Sequence, residues 1–428
     1  MPLSPIQIRF FALVLGLLAV WPTAGAQRAN AQLPDELSGS AYAELWTMAP
    51  GTAIHALFGH SALRVVDPAI GLDAVFNYGT FDPTDPWFLP KFVYGDLDYY
   101  LSVAGGRFVL QAYAAERRSV FAQRLDLAPA QLAGLYRALR LNLEPENRFY
   151  PYDFVRDNCS TRLYDLLHEH AGFTLNPTGH GAERTAGTEN PPPSYRALIR
   201  SYLHPVPWLD LGIHLVLGRP MEQTPTPAEA TFLPYELMDA LDAAQPPLVA
   251  FTDTLLWIPP AATKPNTANP TPSAGASARP WTMYAFRLAP LLLLILAFYP
   301  GPGQTRRLRR LDGTLMVLSG LLGLFLLWMW LGTLHTVTAW NVNILWLMPL
   351  NIWSAFRAKT GIGSAATGLT RILRAAALGM STLALLTPLL PVQSIPGPAW
   401  TWALLLALLH LSAVVQHRPM EHPGQSHD

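Results

Sequence analysis

Cysteine is almost missing from this chain: 428 residues contain one, Cys159. A lone thiol excludes an internal disulfide framework and any cysteine-built zinc site. Charge is scarce as well. Asp, Glu, Lys and Arg make up 14% of residues, against about 25% in an average soluble domain. The 29 basic and 29 acidic residues balance, so no charge excess points to nucleic acid. No H-E-x-x-H pair or Cys/His cluster occurs, so no resident metal is expected, and nothing calls for a cofactor. "GHSAL" around Ser61 lacks the second glycine of a G-x-S-x-G elbow, which argues against a serine nucleophile there. Hydrophobic residues, by contrast, make up half the chain. Together with the charge deficit, this predicts membrane-embedded segments.

Polarity divides the chain into five parts. Residues 1–26 read as an export signal: Arg9, the apolar run "FFALVLGLLAVW" and the small-residue site "AGA" before Gln27. Residues 27–257 are mixed in polarity and form one α+β domain. In it, "SALRVVD" and "DAVFNYGTF" are strands separated by the turn "PAIGL". "PAQLAGLYRALRLNL" is a helix with Pro129 at its start, and "CSTRLYDLLHEHAGF" is another, stopped by Gly172. Residues 258–280, rich in Pro, Ala, Thr and Ser, are a linker. Residues 281–416 hold five hydrophobic spans, near 283–300, 313–333, 338–356, 375–392 and 398–415, each close to the length that crosses hydrocarbon.

The loops orient these spans. Arg306, Arg307, Arg309 and Arg310 follow the first span, and Arg357, Lys359, Arg371 and Arg374 follow the third; the alternate loops "LHTVTA" and "VQSIPGP" carry no Lys or Arg. The positive-inside rule makes the basic loops cytoplasmic. The 27–257 domain then lies outside the cytoplasm and the tail, 417–428, inside. Asn341, Asn343 and Asn351 sit within an apolar span, where an amide needs a partner: a neighbouring helix or a lipid headgroup.

Cys159 follows "RDN" and opens a helix, with Asp157 or Asn158 as its cap. A helix N-terminus favours thiolate over thiol, and its free N–H groups can bind an oxyanion. Free cysteines are more often small buried hydrophobes, but Asp157, Asn158, Ser160, Thr161 and Arg162 suit a cleft edge better than a core. His60, directly after Gly59 at the start of a strand, taken by itself reads as a core or edge histidine. Arg162 can bind a phosphate or pair with Asp157 or Asp165. "PWFLPKFVYGDLDYYLSVAGG" is either an interfacial apolar patch or a half-buried segment.

The order matters: a histidine opening a strand precedes a cysteine opening a helix. This resembles the circularly permuted papain-like (NlpC-type) fold, in which Cys-then-His is reversed, and the group containing lecithin retinol acyltransferase. Over residues 40–242, "FGHSALRVVDP", "VFNYGTFD", "GDLDYYL", "YDFVRDNCSTRLYD" and "FLPYELMDAL" resemble the Lnb-type proteins, which have a periplasmic N-terminal domain followed by membrane helices. Known members are lipoprotein N-acyltransferases. The resemblance implies Cys159 as nucleophile through a thioester, His60 as base, a phospholipid acyl donor and the N-terminal amine of a lipoprotein as acceptor, at the bacterial inner membrane. Asn77 is the expected third member, accepting from imidazole Nδ1; Tyr78, which alternates to the other face, is a packed aromatic or a supporting residue. Asn158, Ser160 and Arg162 complete the expected oxyanion or site-supporting set. A cysteine amidase or peptidase on cell-wall peptide uses the same dyad, and a non-enzymatic membrane sensor with an inert thiol is the third reading.

Overall fold

The computed structural model describes residues 33–82, 84–175, 192–203, 206–259, 281–298, 304–360, 364–389, 393 and 396–416. The export signal, nearly all of the linker and the 417–428 tail lie outside the described residues. The chain divides into two compact units: Met1–Pro205 with Thr224–Ala276, and Val206–Gln223 with Ser277–Asp428.

The elements through the first unit run β1 (Tyr42–Met48), β2 (His60–Asp67), β3 (Leu72–Thr80), α1 (Phe88–Tyr94), β4 (Asp98–Gly105), α2 (Gly106–Ala115), β5 (Val120–Leu125), α3 (Pro129–Leu143), β6 (Phe149–Pro151), α4 (Cys159–Ala171) and α5 (Tyr195–Leu203). After α6 (Pro207–Val216) come α7 (Pro227–Ala230), α8 (Pro234–Asp242) and β7 (Val249–Leu256). All seven strands join one sheet in the order β6-β4-β3-β2-β1-β5-β7, and every pairing is antiparallel. The unit is α+β, as the mixed polarity predicts.

Both sheet faces are covered, so central strands read as near-continuous apolar runs rather than strict alternations. On one face Leu63, Val65, Phe76 and Leu101 pack with Leu135 and Leu139 of α3, Leu163 and Leu167 of α4, and Leu237 and Leu241 of α8. On the other, Trp46, Met48, Ala62 and Val75 pack with Tyr113 of α2. The helix α3 buries Leu132, Leu135, Tyr136, Leu139 and Leu143, an i, i+3, i+4 stripe, behind a proline at its first position. The helix α4 ends at Gly172, whose φ of 68° is the left-handed stop that a glycine adopts freely.

One irregularity shapes the site. Between the Asn77–Ser102 and Thr80–Tyr100 pairs, β3 carries one residue more than β4. This bulge places Gly79 at φ +89°, a conformation that an L side chain strains to reach.

The second unit holds α6 together with α9 (Trp281–Phe298), α10 (Gln304–Leu331), α11 (Leu350–Thr360), α12 (Ser364–Leu385) and α13 (Trp400–Gln416). Among the described residues one helix stretch, Arg306–Leu331, is long and apolar enough by itself to cross a membrane. The structure departs from the sequence reading in three places. The span expected at 338–356 is not one helix: short 3-10 turns at Thr336–Thr338 and Val342–Leu345 precede α11. Asn341 and Asn343 account for the break. Their amides donate to the Leu215 carbonyl at 2.8 and 3.1 Å, and Asn341 also donates to Val216 O at 2.9 Å, while Gln393 donates to Leu217 O at 2.8 Å. These groups satisfy the last carbonyls of α6, which no intrahelical donor reaches.

The second departure follows from the first. Residues 206–223, read as part of the 27–257 domain, group with the membrane-type unit, and Leu211, Leu215 and Val216 pack against its core. The third concerns Arg374, read as a loop cation. It is a buried residue of α12, forked onto Asp312 of α10 at 2.8 and 2.6 Å. Asn351 of α11 donates to Ser319 Oγ of α10 at 3.0 Å. Helix-to-helix bonding therefore satisfies the apolar-span amides within the protein.

Candidate active site

Local chemistry fixes how α4 begins. Asn158 is extended, and its Oδ1 accepts the N–H groups of Ser160 and Thr161 at 2.8 and 3.1 Å. Its Nδ2 donates to the Phe154 and Phe232 carbonyls at 2.7 and 2.8 Å. The cap thus also ties the loop before α4 to the chain before α8, and the Asn158 amide has no group left for a substrate. The Ser160 and Thr161 N–H groups are thereby occupied. Among the described residues only the Cys159 N–H of this first turn has no acceptor.

His60 opens β2, and its ring reaches two partners. Nε2 donates to Asn77 Oδ1 across the β2–β3 pair, so the ring is reversed from the expected Nδ1 contact. With Nε2 engaged, Nδ1 is the nitrogen left for the hydrogen bond that His60 shares with Cys159. Asn77 Nδ2 in turn donates to Thr80 Oγ1 at 3.3 Å, and Thr80 bonds Ser102 at 2.7 Å. The amide orientation is held from behind.

Gly79 lies beside both Cys159 and His60. A Cβ there would stand 3.6 Å from Cys159 Cβ, 3.6 Å from His60 Cε1 and 4.0 Å from the Tyr150 hydroxyl. Sequence reasoning passed over this residue, although a glycine inside a strand pattern is the usual mark of a bulge. Gly79→Ala is expected to lower stability by about 1–2 kcal/mol through the positive φ, visible as a lower denaturant midpoint, and to slow alkylation of Cys159 by crowding its approach.

The electrostatics follow from these contacts. Burial pushes the half-buried Cys159 thiol up, but the His60 charge and hydrogen bond, the Ser61 backbone N–H and the Ser160 hydroxyl outweigh it, and the pKa falls to about 7. Burial pulls His60 down, yet the Cys159 thiolate and the bonds to Cys159 and Asn77 raise it above its ordinary value. Each group thus favours the charged form of the other, the thiol leaning to thiolate and the ring to imidazolium. The rate of Cys159 alkylation by iodoacetamide is expected to rise with pH through an inflection near 7, two units below that of an ordinary thiol; an inflection at 9 would remove the ion pair.

The other expected residues take different positions. The Ser160 hydroxyl is fully buried, 3.0 Å from Ser61 Oγ and 3.8 Å from Cys159 Sγ. The sequence reading set Ser61 aside as a nucleophile; here it lines the cysteine's surroundings. Tyr78 is buried in the core, its hydroxyl accepting from Asn142 Nδ2 at 2.8 Å. Arg162 is forked onto Asp157, at 2.5 and 2.8 Å, and lies 3.8 Å over the Tyr150 ring, which commits it to an ion pair rather than to a free phosphate site. The segment around α1 is an exposed apolar face: Trp87, Leu89, Phe92 and Tyr94 are between 44% and 66% exposed. From it a row of rings, Phe92–Phe88–Phe81–Tyr99–Tyr152, runs inward at centroid spacings of 4.2–6.3 Å.

A polarised thiol at a helix start beside an imidazole at the start of a central strand, in a chain that also carries an apolar helical unit, defines a membrane-anchored protein with a thiol site in its N-terminal domain. Residues 35–200 match the model of the Lnb N-terminal periplasmic domain, and residues 278–418 that of the Lnb transmembrane domain. The chain belongs to the Lnb-type family, with a periplasmic N-terminal domain anchored by a transmembrane domain. No curated protein and no solved structure matches it.

Proposed function

We propose that the chain is a thiol acyltransferase that moves a fatty acyl group from a phospholipid to the N-terminal amine of a lipoprotein through a thioester on Cys159. The observation that carries this reading is the Cys159 thiol, depressed to about 7 against a His60 ring oriented by Asn77, in a membrane-anchored family. Such a pair attacks carbonyls at neutral pH.

In the first half-reaction the Cys159 thiolate adds to the donor's ester carbonyl. The tetrahedral intermediate collapses, the ester C–O bond breaks, and His60 Nδ1–H protonates the departing lysophospholipid oxygen. In the second, the lipoprotein amine attacks the thioester, neutral His60 accepts its proton, and Cys159 leaves as thiolate. Asn77 holds the ring in the orientation both steps need, as the third member of a papain-like triad does. The His-before-Cys order, one residue opening a strand and the other a helix, supports a permuted version of that fold.

The exposed aromatic face of α1 and the ring row behind it suit acyl chains entering from a bilayer. The basic loops support a cytoplasmic C-terminus, and the 281–416 region supports up to five crossings.

The test is reconstitution of the full chain in phospholipid vesicles with a synthetic diacylated lipopeptide, read by mass spectrometry. A third acyl chain on the peptide amine, dependent on Cys159, is expected. An unmodified peptide alongside cleavage of a cell-wall peptide would replace this reading with the amidase.

A further inference from the structure

The proposed reaction passes through an alkoxide, and the usual source of its stabilisation is depleted here. Two of the first-turn N–H groups of α4 are bound by the Asn158 side chain, leaving the Cys159 N–H alone, whereas an oxyanion in a dry site is generally held by two donors. A second donor stands close by. Tyr150 is 3% exposed, and among the described residues its hydroxyl has no hydrogen-bond partner. A buried hydroxyl without a partner is costly to keep, and so calls for a reason.

The location supplies one. The point where a Gly79 Cβ would stand lies 4.0 Å from the Tyr150 hydroxyl and 3.6 Å from both Cys159 Cβ and His60 Cε1. It touches nothing more closely than ordinary van der Waals contact, so an atom fits there. A glycine at this strained position keeps the space open among nucleophile, base and hydroxyl. The ring itself is fixed by the Arg162 guanidinium 3.8 Å over its face, itself clamped to Asp157, and by an edge contact to Tyr78 at 6.1 Å.

Resting on the acyltransfer reading above, we propose that Tyr150 is a catalytic residue whose hydroxyl donates a hydrogen bond to the carbonyl oxygen as thiolate attack turns it into an alkoxide. The S–C bond forms and the carbonyl π pair moves to oxygen. Tyr150 keeps its proton throughout and only donates to that oxygen, and the pair returns when the ester C–O bond breaks. Burial, with the thiolate charge adding to it, holds the phenol well above its ordinary pKa, so it stays a donor across the working range.

Tyr150→Phe keeps the ring under Arg162 and removes only the donor. In the vesicle assay its kcat is expected to fall on the order of 100-fold or more with KM little changed. Its iodoacetamide rate and inflection near 7 should stay as in the wild type, because alkylation makes no oxyanion. Wild-type acyl transfer by Tyr150→Phe, with Cys159→Ser inactive, overturns this role alone. An equal loss of alkylation and acyl transfer also overturns it, by showing that the hydroxyl acts through the site's structure. Acyl transfer persisting in Cys159→Ser overturns both this role and the reaction it serves.

Discussion

Cys159→Ser is expected to leave the fold intact and to reduce acyl transfer by about 10³-fold or more. The two halves of that expectation have separate causes. The fold survives because the substitution exchanges one atom at a half-buried position, while the start of α4 is capped by Asn158 and not by the cysteine. Activity is lost because the groups that bring a thiol to about 7 cannot bring a serine hydroxyl, many units less acidic, within reach of neutral pH. Thermal unfolding of both proteins and mass spectrometry of the lipopeptide product check the two halves. Transfer at the wild-type rate would remove the thioester from the mechanism.

His60→Ala is expected to cost about 10²–10⁴-fold in kcat and to move the Cys159 inflection in the opposite direction from the effect of the histidine. The sign follows from the contributions at the thiol. Burial is the largest and raises the pKa; the His60 charge and hydrogen bond are the next two and lower it. Without the ring, the two largest causes that lower the thiol's pKa are gone and burial is opposed by the Ser61 N–H and the Ser160 hydroxyl, so the pKa rises from about 7. Iodoacetamide rates between pH 6 and 10 check this, and an inflection still near 7 would show that the helix terminus and not the histidine activates the thiol. Asn77→Ala belongs on the same axis with a smaller shift, because its bond to Nε2 raises His60 but does not touch the sulfur.

Two strands and two helices of the N-terminal domain were readable because their cues are local. The apolar stripe behind Pro129 delimits α3 at Pro129–Leu143, and "DNCS" with Gly172 delimits α4 at Cys159–Ala171. The strands at His60–Asp67 and Leu72–Thr80 follow from apolar runs around "PAIGL". The membrane region was less readable for the same reason. Hydropathy averages over a window, so it registered 338–356 as one span and missed that Asn341, Asn343 and Gln393 bond the end of α6. It also could not show that 206–223, far away in the chain, groups with that unit. Arg374 misled in the same way: a cation beside a loop is a topology signal until an aspartate from another helix is found on it.

By itself, then, the sequence determined two central strands, two helices and an apolar C-terminal region, that one thiol is available, and that it opens a helix. Each of these depends on neighbours within a few turns or strand steps. The tertiary structure alone decided that the His60 ring turns Nε2 toward Asn77, and that Gly79 and Tyr150 border the same spot as Cys159 and His60. The reason is physical: an acidity and a hydrogen bond depend on distance and burial, and strand register with one bulged residue sets both across a long stretch of intervening chain.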